Sequence, residues 1–137
     1  MFRALEVSAS GLLAQRLRMD TIAGNIAQVN TTENEHGEPE PFVRRLVLMQ
    51  AVPVGSAGTT ETYAVTAEVA LDHATPFRKV YAPQHPHADE QGYVQYPNIN
   101  MITEYVNALE AARAYEANLA TMQMTRQLME NTLRLLG

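Results

Sequence analysis

The sequence predicts an α+β fold in which long N-terminal and C-terminal helices, paired as a coiled coil, enclose a small β-rich insert. Positions 1–30 and 101–137 contain no proline and carry apolar side chains at helical spacing. All 7 prolines and all 4 histidines fall between positions 31 and 100, among short apolar runs that are typical of strands. The predicted domains are therefore an N-terminal helix at 1–30, a Pro-rich acidic insert at 31–100 and a C-terminal helix at 101–137.

The first helix carries an apolar stripe whose members alternate between spacings of three and four residues. This is the a/d pattern of a coiled coil, in which a helix presents one continuous seam to one long partner. The last helix repeats the pattern. Two long helices with matching seams most simply pair with each other, in parallel or antiparallel orientation, although two ordinary amphipathic helices of a bundle are an alternative. The predicted intrachain seam consists of Phe2, Leu5, Ala9, Leu12, Met19, Ala23 and Ile26, with Tyr105, Ala108, Ala112, Tyr115, Leu119, Met122, Met129, Leu133 and Leu136.

Both helices also carry apolar residues beside the seam. A pair of helices covers only its a/d positions, so these residues would remain in contact with water. Exposed apolar surface on this scale usually marks an interaction surface. We therefore predict that the helices are completed by other chains, through intersubunit contacts at Leu13, Leu17, Ile22, Val29, Val106, Leu109, Leu128 and Leu135.

The insert has the texture of short strands. Two longer runs, at 42–54 and 59–71, are followed by short extended pieces at 77–82 and 92–96, with a Gly- and Ser-containing loop at 54–58. This is enough for a small sheet. Asn98 or Asn100 is placed to cap the last helix, with Glu104 in its first turn.

Composition excludes several classes of function. The chain has no cysteine, which removes disulfides, zinc-thiolate sites and thiol nucleophiles. Its net charge is −5 and it has no basic block, so nucleic acid is not an expected partner. No apolar run reaches the length of about 20 residues that a membrane span needs, and the charged start is unlike a secretory signal. We expect neither membrane insertion nor a cleaved signal peptide.

The one cluster that resembles a reactive site is "QHPHADE", with His85, His87, Asp89 and Glu90. His-x-His followed by a carboxylate is able to bind a divalent ion. No third ligand appears at a recognisable spacing, however, so a proline-constrained turn is the better interpretation. We expect no metal, no cofactor and no catalytic residue, and hence no enzyme.

Three stretches resemble the bacterial flagellar axial proteins, the family of rod and hook subunits. "SGLLAQRLRMDTIAGNIAQVNTT" is similar to their N-terminal segment, and the stretch from Pro97 onward is similar to their C-terminal one, including Tyr115–Asn118. "TPFRKVYAPQHPHADEQGYVQYPN" resembles a stretch of the proximal rod branch of that family, in which "HPHAD" is a structural turn.

The resemblance implies a structural subunit of the basal-body rod. Such proteins are exported through the flagellar type III apparatus without signal cleavage. Their terminal helices assemble with other copies and with other rod subunits into a tube that crosses the periplasm, transmits torque and forms part of the export channel. The alternative is a soluble coiled-coil adaptor or export chaperone that binds a partner helix.

Overall fold

The computed structural model describes residues 2–54 and 62–136 and has the predicted α+β class. The predicted loop at 54–58 and the first residues of the 59–71 strand lie largely outside the described residues. The elements, in chain order, are α1 (Phe2–Ala27), β1 (Arg45–Val54), β2 (Thr62–Leu71), β3 (Arg78–Tyr81), β4 (Tyr93–Tyr96) and α2 (Met101–Leu136).

The helix α1 ends three residues before the predicted boundary because the chain changes to tighter turns. The amide of Val29 bonds to the carbonyl of Ile26 at 3.3 Å, and the amide of Thr31 bonds to the carbonyl of Gln28 at 3.1 Å. The carbonyl of Thr31 then accepts the amide of Phe42 at 3.1 Å, which brings the acidic loop back to the end of the helix.

The helix α2 begins at a side-chain cap. Oδ1 of Asn100 accepts the amides of Ile102 and Thr103 at 3.0 and 3.3 Å, two of the donors that a helix start leaves without intrahelical partners. Of the two predicted candidates, Asn100 is therefore the cap. The helix then continues for 36 residues with no proline and no glycine inside it. Within the described residues, neither helix has the length and apolar character needed to cross a bilayer.

The strands form two small sheets where one was expected. β1 pairs with β2, and β3 pairs antiparallel with β4 in a register that sets Arg78 opposite Tyr96 and Val80 opposite Val94. Gly92 closes the second hairpin with a positive φ of 83°, and a Cβ on it would lie 2.9 Å from the ring of Tyr81. Only glycine meets both requirements without strain.

The chain divides into two compact units, and each draws on both helices and on the insert. The first unit contains Met1–Met19, Val47–Glu68 and Ala108–Gly137, and the second contains Asp20–Leu46 and Val69–Asn107. Among the described residues, the buried apolar side chains are Ala14 and Ala111 in the first unit, and Ile22, Pro41, Val94, Pro97 and Ile99 in the second. Each core is small, so polar contacts have a large share in fixing the fold.

Replacing Gly92 with alanine should destabilise the second unit by about 1–3 kcal/mol, because a left-handed residue would gain a Cβ that meets the Tyr81 ring. The measurement is the free energy of unfolding in urea. Gly37→Ala is the matched control, since Gly37 has a similar φ of 77° but open space around its Cβ. Equal losses in the two variants would show that the contact with Tyr81 does not matter.

Candidate functional site

A fully buried carboxylate lies in the first turn of α2. Glu104 is 0% exposed, and its Oε1 accepts hydrogen bonds from Nε and Nη2 of Arg44 at 2.8 and 2.6 Å. Its Oε2 accepts another from Nδ2 of Asn25 at 3.2 Å. A buried charge is tolerated only when it is paired and hydrogen-bonded. Since these partners come from α1 and from the segment entering β1, Glu104 connects three parts of the second unit.

The side chain of Asn25 also forms hydrogen bonds with the backbone of β1, as a neighbouring strand would. Its Oδ1 accepts the backbone amide of Arg45 at 2.9 Å, and its Nδ2 donates to the carbonyl of the same residue at 2.8 Å. Both main-chain groups at the start of β1 are therefore satisfied by one buried side chain of α1. Asparagine is a poor residue for the interior of a helix, and its position in α1 is explained by this double bond.

Asn98 makes a similar connection just before α2. Its Oδ1 accepts the amide of Arg44 at 2.9 Å, while its Nδ2 donates to the carbonyls of Asp72 and Thr75 at 2.9 and 3.0 Å. The buried amide thus has three partners in two distant segments. It fixes the turn that follows β2 against the segment that enters β1.

Asp72 organises that turn. Its Oδ1 accepts the amides of Ala74 and Thr75 at 3.1 and 3.0 Å, and its Oδ2 accepts the Thr75 hydroxyl at 2.8 Å. Nη1 of Arg44 lies 3.4 Å from the same Oδ2. Hydrogen bonds from the Thr75 hydroxyl and, next in size, from the Thr75 amide lower the pKa of Asp72 below its usual value of 3.8. Hydrogen bonds from Arg44 and Ala74 lower this pKa by smaller amounts, whereas burial raises it.

The acidic loop and the "HPHAD" turn are joined by one histidine. Nδ1 of His87 lies 3.0 Å from the hydroxyl of Thr32, and Nε2 lies 3.5 Å from a carboxylate oxygen of Glu33. The amide of His87 in turn donates to Nδ1 of His85 at 3.1 Å. In the part of the chain that the structure describes, no three His, Asp or Glu side chains are grouped so that they could hold a metal ion.

In the first unit, α1 and α2 meet through small and polar side chains. A Cβ on Gly11 would lie 2.8 Å from Nδ2 of Asn118, and Arg18 pairs with Glu110 at 3.1 Å. As the residue number rises along α1, the number of the contacted residue on α2 falls, so the two helices are antiparallel. Ser10 adds β2 to this unit, because its Oγ accepts the amide of Val65 at 3.0 Å.

The buried positions on the helices fall beside the predicted seam. They are Ser8, Ala14, Ile22 and Asn25 on α1, and Glu104 and Ala111 on α2. Ala23, Tyr105, Leu119 and Leu133 of the predicted seam are exposed. The side chains of Phe2 and Leu136 lie outside the described set. The remaining seam residues are half-buried: Leu5, Ala9, Leu12, Met19, Ile26, Ala108, Ala112, Tyr115, Met122 and Met129.

The predicted intersubunit residues also differ in burial within the single chain. Ile22 is only 6% exposed and belongs to the core of the second unit, which leaves little of it for another chain to contact. Leu17 and Val29 are half-buried. The other five are well exposed: Leu13, Val106, Leu109, Leu128 and Leu135.

Sequence reasoning missed most of the buried polar network. The sequence patterns indicate no special role for Asn25, Arg44 or Asp72, and they mark Glu104 only for its favourable place near a helix start. Asn25 carries a signal of its own, because asparagine is a poor helix former and this one lies in the middle of the apolar sequence that ends α1. Nothing in the sequence indicated that Arg44, and not its neighbour Arg45, turns inward.

Comparisons with known proteins find matches at both helices and along nearly the whole chain. A family model described as "Flagella basal body rod protein" matches residues 5–34, and one described as "Flagellar basal body rod FlgEFG protein C-terminal" matches residues 90–135. The flagellar basal-body rod protein FlgC of Aquifex aeolicus is 38% identical over 96% of this chain and 94% of its own. The FlgC proteins of Bacillus subtilis and Salmonella typhimurium are 32% and 28% identical over 98% of this chain and 97% of theirs.

The matches at the two helices define a protein of the flagellar basal-body rod class. Across nearly the whole length, the chain belongs to the family of the flagellar basal-body rod protein FlgC. It is a structural rod subunit of the flagellum, and not an enzyme. Membership in this family implies assembly with other rod components.

Replacing Glu104 with glutamine should lower the free energy of unfolding by about 3–5 kcal/mol, because the Arg44 guanidinium would lose its buried counter-charge. The measurement is urea denaturation. Glu130→Gln is the control, since Glu130 forms an exposed i,i+4 pair with Arg126 at 3.1 Å and should change stability by about 0.5 kcal/mol or less. Similar midpoints for both variants would contradict a supporting role for the buried pair.

The stability that Asp72 contributes should disappear in acid. Because its pKa is lowered in the folded chain, this contribution is present above the unfolded value near 3.8 and is lost as the pH falls through the folded value. The difference in unfolding free energy between the wild type and Asp72→Asn should therefore shrink between pH 6 and pH 3. Glu116→Gln, which removes a carboxylate from an exposed site, serves as the control. A constant difference for Asp72→Asn would refute the assignment.

Proposed function

We propose that the chain assembles through α1 and α2 into the tube of the proximal rod. The observation that carries this proposal is the exposed apolar surface along both helices of a chain whose own core is small. Exposed leucines and valines on this scale promote aggregation of an isolated subunit, but they stabilise a subunit whose neighbours cover them. In a tube, equivalent copies meet through heterologous contacts, so the same surfaces are buried in every subunit.

Within a subunit, the terminal segments 1–30 and 101–137 would pair as an antiparallel coiled coil, with 31–100 as the β-rich insert. The contacts Gly11–Asn118 and Asn25–Glu104 support this pairing. Gly11 and Asn25 on α1, like Glu104 and Asn118 on α2, are separated by a multiple of seven residues, which is the repeat of a coiled coil. The apolar residues of the predicted seam would flank this polar line.

The five well-exposed residues of the predicted set are the proposed contacts with neighbouring subunits, and Leu17 and Val29 would contribute the part that remains exposed. The tube would transmit torque across the periplasm and form part of the export channel. The flagellar type III apparatus would deliver the chain without cleaving a signal. The type III route and the periplasmic position rest on the family resemblance.

Leu13→Ser and Leu128→Ser should leave the circular dichroism of the monomer unchanged and prevent rod completion. Leu13 and Leu128 are 68% and 64% exposed in the single chain, so they contribute little to its own stability. Burying one leucine side chain between subunits stabilises the assembly by about 1.5–3 kcal/mol. The measurement is the content of purified basal bodies, together with motility, in cells whose only copy carries the substitution.

Gln127→Ser is the control beside Leu128 and should assemble normally. Incorporation of both leucine variants at wild-type levels would mean that these side chains are only tolerated surface residues. Unfolding of the monomer would mean that they support the chain's own core, and the proposal would lose its main observation.

A further inference from the structure

The side-chain amide of Gln15 on α1 makes an unusual contact with Met49 on β1, within the first unit. Its Nε2 lies 4.0 Å from the sulfur of Met49, and a thioether sulfur is a weak acceptor. Its Oε1 is buried and has no hydrogen-bond partner among the described residues. Because an unpaired buried acceptor costs free energy, the amide gains little from either of its polar atoms in this arrangement.

The side chain of Met49 can be reached from solvent. It is 38% exposed and lines a pocket of about 420 Å³ on the β1–β2 sheet. This pocket is far larger than the space that one water molecule needs, so it admits a small oxidant and has room for an added oxygen. The other residues that line it are Leu48, Gln50, Thr66, Ala67 and Glu68.

We propose that Met49 is a site of reversible oxidation and that Gln15 stabilises its oxidised form. Hydrogen peroxide supplies the oxygen. The sulfur attacks one peroxide oxygen, so that an S–O bond forms as the O–O bond breaks. The proton of the attacked oxygen passes to the departing one, which leaves as water. The thioether is thereby oxidised to a sulfoxide and the peroxide is reduced.

The position of Gln15 suits the sulfoxide better than the thioether. An oxygen added on the side of the amide would lie one S–O bond closer to Nε2 than the sulfur, which stands at 4.0 Å, and would thus come within hydrogen-bond distance. Methionine oxidation usually disrupts packing, because it makes an apolar side chain polar. Here the new oxygen gains a donor, so oxidation costs the fold little and joins β1 more firmly to α1.

Peptide mass spectrometry of the full chain after brief treatment with hydrogen peroxide tests whether the site reacts. Met49 should be converted to the sulfoxide, as should Met124, which is 65% exposed on α2 and serves as the reference. Treatment with both classes of methionine sulfoxide reductase should restore the thioethers. Conversion of Met124 without conversion of Met49 would overturn the inference, because the sulfur of Met49 would then be closed to oxidants in the folded chain.

Urea denaturation tests the part played by Gln15. Met49 is oxidised in a chain whose other internal methionines are leucine, a replacement that nearly conserves volume. Oxidation should change the equilibrium constant for folding by less than about threefold when Gln15 is present. In Gln15→Leu, the sulfoxide has no donor, and oxidation should lower this constant at least about tenfold. The replaced methionines are Met19, Met101, Met122, Met124 and Met129.

Two further variants make this test specific. Gln15→Glu keeps the shape of the side chain but, as an ionised carboxylate, has no donor, so it should respond to oxidation as Gln15→Leu does. Gln123→Leu removes an exposed glutamine of α2 and should respond as the wild type does. Equal losses with and without Gln15 would overturn the inference. The isolated chain is used throughout, so the result does not depend on rod assembly.

Discussion

The buried ion pair between Arg44 and Glu104 is the constraint on which the second unit depends. A carboxylate with no exposed surface is stable only if its partners are held in place. Those partners belong to α1 and to the segment before β1, and Arg44 itself is held by Asn98 and Asp72. Segments far apart in sequence must therefore come together for the carboxylate to be paired.

The polar character of this network also bears on assembly. The described apolar side chains that the single chain buries are few, and two of them are alanines. A fully satisfied buried polar network specifies one geometry of the fold even where the apolar core is small. The larger apolar side chains of both helices can then remain outside. Proteins of this family assemble with other rod components. Buried polar contacts give such a subunit a defined fold, and its exposed apolar side chains remain available for contacts with other subunits.

The local turns of the second unit are also held by polar contacts. Asp72 and Asn34 each gather backbone amides around one side-chain oxygen, as short polar residues do in turns. His87 then connects the acidic loop to the "HPHAD" turn through Thr32 and Glu33. His87, one of the residues that look most like a metal ligand in the sequence, thus holds two loops together.

The sequence by itself determined the α+β class, the two terminal helices to within a few residues, the approximate strands and the family. These follow from local rules: apolar period, proline placement and caps act over a few neighbouring residues. Which helix face turns inward was decided only by the tertiary structure. The apolar stripe through Leu12 and Leu119 is the stronger pattern, yet the buried line runs through Asn25, Glu104 and Ala111. A buried polar residue reveals itself only when its partners are known, and Arg44 and Asp72 are distant in sequence from the helices that they fix.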